Sequence, residues 1–337
     1  MTMVVTEPRG PLNPSVAQAT SPPGKWVRVS VTASGVCHAD IATAAATDPG
    51  TSFPVTPGHE VAGVIAELGD QVEGWEVGDR VAVGWFGGSC GHCAFCRVGD
   101  VVHCAERKVP GLSYPGGWAQ SITVPSDALA RIPDGLDLFD AAPFGCAGVT
   151  TFNAVRKAGT RTGGRVAVFG LGGLGHLAVQ FAAKLGYETV AIARGEHREE
   201  LARSLGAHHY IDSNAQVPGA ALKELGGADL IVYTASSTAP VNELLTGLNV
   251  QGQLTLAGFD AGSVTVPTTQ LVLNGHNVTG HLTGSARETE EAMTFAVTNS
   301  VRPMIERMPL EKVADAVTRL RSGAPRFRIV LDTADSE

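Results

Sequence analysis

Apolar and polar positions alternate in short runs through roughly the first 140 residues, the two-residue period of half-buried strands. Trp26–Thr32 (WVRVSVT) alternates in this way, as do Val61–Glu67 and Arg80–Val83. Turn signals punctuate the same stretch at Pro22-Pro23-Gly24, Pro57-Gly58, Gly69-Asp70 and Val77-Gly78-Asp79. Short strands with frequent turns predict a compact antiparallel, barrel-like domain.

Near residue 147 the pattern changes. Arg165–Phe169 (RVAVF) is a short apolar run, and it leads into a glycine-opened helix ending near Leu185. Glu188–Ala193, Asp229–Tyr233, Gln253–Gly258 and Asn277–His281 read as further strands, with a helix over Glu199–Leu205. Strands alternating with helices predict a parallel, doubly wound sheet. The last stretch offers a helix over Lys312–Arg321 and an apolar strand, Arg328–Leu331, expected to rejoin the first domain.

Composition narrows the class. A chain of 337 residues exceeds one ordinary core, which predicts roughly two domains. Its 44% hydrophobic and 17% charged residues describe a globular protein. A net charge of −8 with no long basic run argues against a nucleic-acid partner. The start, MTMVVTEPRG, has no apolar leader core, and Leu174–Leu185 is too short to span a bilayer, so no membrane association is expected.

Cys90, Cys93, Cys96 and Cys104 fall within one glycine-rich stretch, GGSCGHCAFCRVGDVVHC. Four thiolates that close can enclose one tetrahedral Zn2+ and leave no ligand position open, the pattern of a structural site. An iron–sulfur cluster or a redox thiol pair also uses closely spaced thiols. Three disulfides fit poorly, because such near neighbours pair badly. Cys37 (GVCHAD), His59 (PGHEV) and Cys146 (FGCAG) form a second candidate set, whose open fourth position is the pattern of a catalytic zinc. Taken singly, a cysteine is usually a small hydrophobe and a histidine an ordinary polar group. Reduced thiolate ligands without a leader segment point to the cytoplasm.

Gly170-Leu171-Gly172-Gly173-Leu174-Gly175 fits G-x-G-x-x-G, between a predicted strand and a predicted helix. Such glycines let backbone N–H groups reach a pyrophosphate at the positive end of the helix. About twenty residues further on, an NAD site carries Asp or Glu at the tip of the second strand. Here the tip reads Ala193-Arg194-Gly195-Glu196-His197-Arg198. Arg194 and Arg198 can bind a 2′-phosphate that a carboxylate would repel, which predicts NADP(H). The alternative is NAD(H), with Glu196 serving the ribose and Arg194 on adenine or in solvent.

With both cysteine sets and the glycine turn in this order, the chain resembles the zinc-dependent medium-chain alcohol dehydrogenases, nearest the bacterial and cinnamyl-alcohol-dehydrogenase-like branches. The resemblance runs through GVCHAD, GHEVAGVIAELGDQV, GDRVAVGW, the four-cysteine lobe, CAGVTTFNAV and VFGLGGLGHLAVQFAAKLG. It implies a discontinuous GroES-like β-rich catalytic domain, residues 1–146 and 283–337, and a Rossmann NADP(H)-binding domain, residues 147–282. It implies two zinc ions per chain: a catalytic one on Cys37, His59 and Cys146, with Glu60 as alternate ligand, and a structural one on the lobe. Asp40 would orient the ligand histidine. His38 and Arg328 would contact the pyrophosphate, Thr150 would lie beside the nicotinamide, and Trp85 and Phe86 would line the substrate pocket. The implied reaction moves a hydride between NADP(H) and a small alcohol/aldehyde or ketone pair, in a homodimer or homotetramer joined at the sheet edge Asn277–His281.

One departure stands out. The family places Ser or Thr two residues after the first zinc cysteine, often with a His three residues later, to carry a proton. This chain has Ala39 and Ala42. Either water, Thr43 or Thr47 takes over, or the natural reaction is reduction of an imine, an iminium or a conjugated C=C. A non-catalytic NADPH-binding protein is a third possibility, against which the intact ligand set argues.

Overall fold

The computed structural model describes residues 1–16, 20–47, 51–237, 240–258 and 262–334. The chain divides into two compact units, Met1–Val149 with Thr283–Glu337, and Thr150–Leu282.

The first unit is built on a seven-stranded sheet in the order Ile305–Pro309, Arg328–Asp332, Trp26–Val36, Val61–Leu68, Arg80–Val83, Leu129–Arg131, with Ser121–Pro125 also paired to Trp26–Val36. The pairings are antiparallel except for the first, so the sheet is mixed. Trp26–Val36 runs four residues beyond its alternating stretch. Its continuation, Ala33, Ser34, Gly35 and Val36, is buried throughout, because the strand Arg328–Asp332 joins it on the other edge there. That pairing returns the end of the chain to the first unit. Val27, Val29, Val31, Val61, Ile65, Val81 and Val83 form one core on this sheet.

The second unit holds a six-stranded sheet in the order His209–Asp212, Glu188–Ala193, Arg165–Phe169, Ala228–Tyr233, Leu248–Leu256, Asn277–Gly280. All pairings are parallel. Arg165–Phe169, Glu188–Ala193 and Ala228–Tyr233, at the centre of the sheet, are buried nearly throughout, so they read as apolar runs, whereas the edge strands carry polar residues. Counted along the chain the order is 3-2-1-4-5-6, the dinucleotide-binding winding, whose direction reverses between Arg165–Phe169 and Ala228–Tyr233. The glycine turn leaves Arg165–Phe169 at that reversal and enters the helix Gly175–Lys184. Among the described residues no helix is long and apolar enough to cross a membrane.

Ile231 sits fully buried in the middle of Ala228–Tyr233, in a cluster with Ala167, Ile192, Leu222 and Leu254. Ile231→Ala is expected to lower unfolding stability by about 2–5 kcal/mol, through lost transfer energy and the cavity left behind. Val250→Ala, at a side chain 73% exposed, is expected to change it by no more than about 0.5 kcal/mol. Denaturant titration of the two variants checks the contrast.

Candidate metal centre and dinucleotide turn

Cys37 ends the strand Trp26–Val36 and opens the helix His38–Ala44. Asp40 lies in that helix's first turn and is almost wholly buried. Its carboxylate accepts three hydrogen bonds, from the Cys37 N–H at 2.9 Å, the Gly58 N–H at 3.0 Å and His59 Nδ1 at 2.7 Å. With Nδ1 committed to the carboxylate, Nε2 is the nitrogen left for another partner. Burial works against a charged His59 ring, but the Asp40 carboxylate outweighs it and holds the ring's pKa well above the ordinary value.

Glu60, the next residue, is fully buried and takes an ion pair from the equally buried Arg328 guanidinium. Desolvation pushes its carboxyl up to about 7, against the pull of Arg328. Cys146 lies between the 3-10 turn Ala142–Gly145 and the helix Ala147–Arg156. Its thiol donates to Cys37, which holds the Cys37 thiol well below its usual range.

The structure thus brings Cys37, His59, Glu60 and Cys146 together from distant parts of the chain, with one donor atom of each lying within 4.8 Å of the others. His59 Nε2 and Glu60 Oε2 are buried with no hydrogen-bond partner. Buried polar atoms are seldom left alone, and two of them beside two thiols fit a bound cation.

The lobe passes the same test. Cys90 and Cys96 Sγ are 4.0 Å apart and Cys93 and Cys96 Sγ 3.5 Å, near the ~3.8 Å edge of a tetrahedron whose sulfurs lie about 2.3 Å from zinc. The Cys90 and Glu106 N–H groups donate to Cys104 Sγ, each at 3.3 Å, and the Cys93 N–H to Cys90 Sγ at 3.4 Å. Donors aimed at sulfur favour the thiolate. Backbone N–H groups of Cys96 and Ala105 lower the Cys93 pKa to about 6.

In the glycine turn, Gly170 has φ +98° and its N–H bonds Ile192 O at 2.9 Å. A Cβ on Gly175 would run into the Gly170 carbonyl, so helix and strand pack as closely as they do only because that position is glycine. A Cβ on Gly172 would meet nothing within 4 Å, which leaves an open cradle there. Gly173 and Leu174 complete the turn, half-buried. Arg198 Nη1 donates to Leu171 O at 2.8 Å, and Arg194 is exposed.

The remaining sequence expectations fall unevenly. Arg328, expected at the pyrophosphate, gives its guanidinium to Glu60. His38 is exposed on the first turn of its helix. Thr150 is buried and donates to Leu282 O at 3.3 Å. Phe86 is 3% exposed and packs in the interior, whereas Trp85 is half-buried and its backbone N–H donates to Gly145 O, beside Cys146. Thr47 is exposed and donates to Ala42 O at 3.0 Å, and Thr43 is buried. Sequence reasoning missed Gly35 and Gly58. A Cβ on Gly35 would fall into the Glu60 carboxylate, and Gly58 presents its N–H to Asp40 at φ +107°. The available signal was glycine directly beside candidate ligands.

Comparison with known proteins agrees with this geometry. Residues 23–134 match the alcohol dehydrogenase GroES-like domain, and residues 173–298 the zinc-binding dehydrogenase domain. Alcohol dehydrogenase patD of Penicillium expansum is 41% identical over 312 residues, covering 93% of this chain and 91% of its own. NADP-dependent alcohol dehydrogenase C 1 of Mycolicibacterium smegmatis is 36% identical over 309 residues, covering 89% and 88%. The cinnamyl alcohol dehydrogenase structure from Sorghum bicolor superposes with a TM-score of 0.91 at 30% identity, covering 100% of this chain and 98% of that one. Two domain matches in the right order, and relatives alike along nearly their whole length, establish that the chain belongs to the zinc-binding medium-chain alcohol dehydrogenases.

Proposed function

We propose that this oxidoreductase moves a hydride between NADP(H) and an alcohol/aldehyde or ketone pair at a zinc ion held by Cys37, His59 and Cys146. The observation that carries the reading is the pair of buried, unpartnered donors, His59 Nε2 and Glu60 Oε2, beside two thiols. Zinc bound there supplies Lewis-acid polarisation of a carbonyl oxygen, and the nicotinamide supplies or takes up the hydride.

The chain's own residues do the rest. Asp40 fixes the His59 ring through Nδ1, so that Nε2 would be the nitrogen offered to the ion. Arg328 holds the Glu60 carboxylate, the alternate ligand, in its buried place. Cys90, Cys93, Cys96 and Cys104 would enclose a second, structural zinc. The glycine turn would receive the pyrophosphate, with Arg194 and Arg198 on the 2′-phosphate. The M. smegmatis relative, by its name NADP-dependent, supports that cofactor. His38 toward the pyrophosphate, Thr150 toward the nicotinamide and Trp85 toward substrate remain part of the same assignment. Thiolate ligands suit the reducing cytoplasm.

A second reading has a specific observation behind it. Ala39 and Ala42 carry no proton, and the Thr47 hydroxyl is engaged with a backbone carbonyl. Reduction of an imine, an iminium or a conjugated C=C fits a site without the usual relay.

Subunit pairing is assigned to the free edge of the six-stranded sheet. Asn277–Gly280 ends that sheet, and Val272 and Leu273 nearby in sequence are each 78% exposed. An uncovered edge strand invites pairing with another chain.

Metal analysis of the purified protein should give two zinc ions per chain, one for each cluster. Cys104→Ser should leave one. Asp40→Asn should weaken zinc at Cys37/His59/Cys146 by roughly 10–100-fold while sparing the lobe, and unchanged retention there would remove Asp40 from its role.

Steady-state assays should show a higher kcat/KM with NADPH than with NADH, and Arg194→Ala should raise the KM for NADPH roughly tenfold. A panel of aldehydes and ketones should be reduced. Activity confined to imines or enones would transfer the assignment to the second reading. Light scattering should find a dimer or tetramer, and Val272→Asp with Leu273→Asp should release monomer.

A further inference from the structure

The strand His209–Asp212 is the outermost of its sheet and runs parallel to Glu188–Ala193, with Asp212 level with Ala193. Side chains alternate along a strand, so Tyr210 and Asp212 share one face while Ile211 enters the core on the other. Both shared-face residues reach past the end of the neighbouring strand to a single glycine. The Tyr210 hydroxyl donates to Gly195 O at 2.7 Å and to Ala193 O at 3.3 Å. The Asp212 carboxylate accepts from the Gly195 N–H at 2.7 Å and from the Asn214 N–H at 2.9 Å. Gly195 is thus gripped at both its polar backbone atoms.

The conformation held this way is one few residues adopt. Gly195 sits at φ 90°, ψ 134°, and a Cβ there would strike the His197 ring at 2.6 Å. Arg194 precedes it. Arg198 follows three residues later, its N–H bonded back to Gly195 O at 3.2 Å and its guanidinium to Leu171 O inside the glycine turn. The direction in which both arginines leave the sheet is therefore set by the Gly195 peptides. The two gripping side chains suit the task chemically. Two backbone N–H groups, from Asn214 and Gly195, hold the Asp212 carboxyl below its ordinary value. Burial, with Asp212 nearby, raises the Tyr210 phenol, which keeps it a donor.

We propose that Tyr210 and Asp212 are positioning residues for cofactor choice: they clamp Gly195 from both sides and so aim Arg194 and Arg198 at an adenosine 2′-phosphate. The role rests on the NADP(H) reading given above. NADH carries no phosphate at this place, so loosening the clamp weakens NADPH and spares NADH.

Fluorescence titration of the full-length, zinc-loaded protein gives Kd for NADPH and for NADH, with thermal melting confirming that each variant is folded. Tyr210→Phe removes only the donor, and Asp212→Ala only the acceptor. Each is expected to raise the Kd for NADPH roughly threefold to tenfold, the range of one lost hydrogen bond, with the Kd for NADH within about twofold of wild type. Asp212→Asn keeps an acceptor for the Gly195 N–H and should stay near wild type. Folded Tyr210→Phe and Asp212→Ala variants with the wild-type NADPH/NADH ratio would overturn the clamp. So would tighter NADPH binding by Asp212→Asn, since Asp212 would then act as a charge opposing the phosphate. Wild-type protein that binds NADH more tightly than NADPH ends the NADP(H) reading itself, and that result is seen before any variant is made.

Discussion

A single buried carboxylate organises the catalytic half of this protein. Asp40 takes hydrogen bonds from the end of one strand, from the loop before the next and from the candidate ligand His59. A carboxylate away from water is tolerable when its oxygens are filled, and all three donors here would be stranded without it. The local sequence makes room for the arrangement. Gly58 adopts a φ that a side chain would resist, and Gly35 leaves space for Glu60. Glu60 Oε1 and Arg328 then pair between that loop and the last strand, with Glu60 Oε2 left over. The terminal segment thereby serves the candidate metal site as well as the sheet.

The two candidate metal centres are built on different plans. The lobe draws every ligand from one short stretch, and its own backbone N–H groups supply much of the sulfur's hydrogen bonding. It needs little from the rest of the fold. The Cys37/His59/Cys146 set instead depends on the fold, because its members come from the end of one strand, the loop before the next and the turn ahead of the helix Ala147–Arg156. A local site tolerates change elsewhere. A convergent site records in its metal affinity any disturbance of the strands that bring it together, which makes zinc occupancy a sensitive report on the first unit's integrity.

That difference also explains what was legible in the sequence. The lobe could be read from spacing alone. The trio Cys37, His59 and Cys146 could be read from the sequence only as a candidate set, since nothing local links Cys37 to Cys146, and the resemblance of whole motifs strengthened it. In the second unit, Arg165–Phe169 and Glu188–Ala193 were placed to the residue, because runs buried on both faces end abruptly at glycine or at charge. Leu248–Leu256 was started five residues late. Its polar NVQG stretch hides a strand that includes Gln251 at positive φ, opposite a register shift at Ala228/Leu230. The Arg328–Glu60 pair was not legible for a simpler reason: the two residues lie 268 apart, and no periodicity reports a contact of that range.

The absent proton relay bears on which chemistry the site favours. Asp40 and Thr43 are the buried residues of their short helix, while Ala39 and Ala42 are only partly covered. The two positions at which the family resemblance implies a proton relay therefore present methyl groups at partly accessible places rather than being filled by packing. Proton delivery by a positioned group typically contributes ~10^2–10^4-fold to rate. A carbonyl reductase lacking it must draw protons from water, which is workable where solvent reaches the site. A substrate that arrives already cationic, such as an iminium, accepts hydride and becomes neutral, with no proton needed at the reacting atom. A conjugated C=C takes its proton at a carbon removed from the metal, where a hydroxyl at position 39 would give no help. The candidate ligand set is thus compatible with all three substrates, and the alanines shift the balance toward those that do not require acid at the reacting atom.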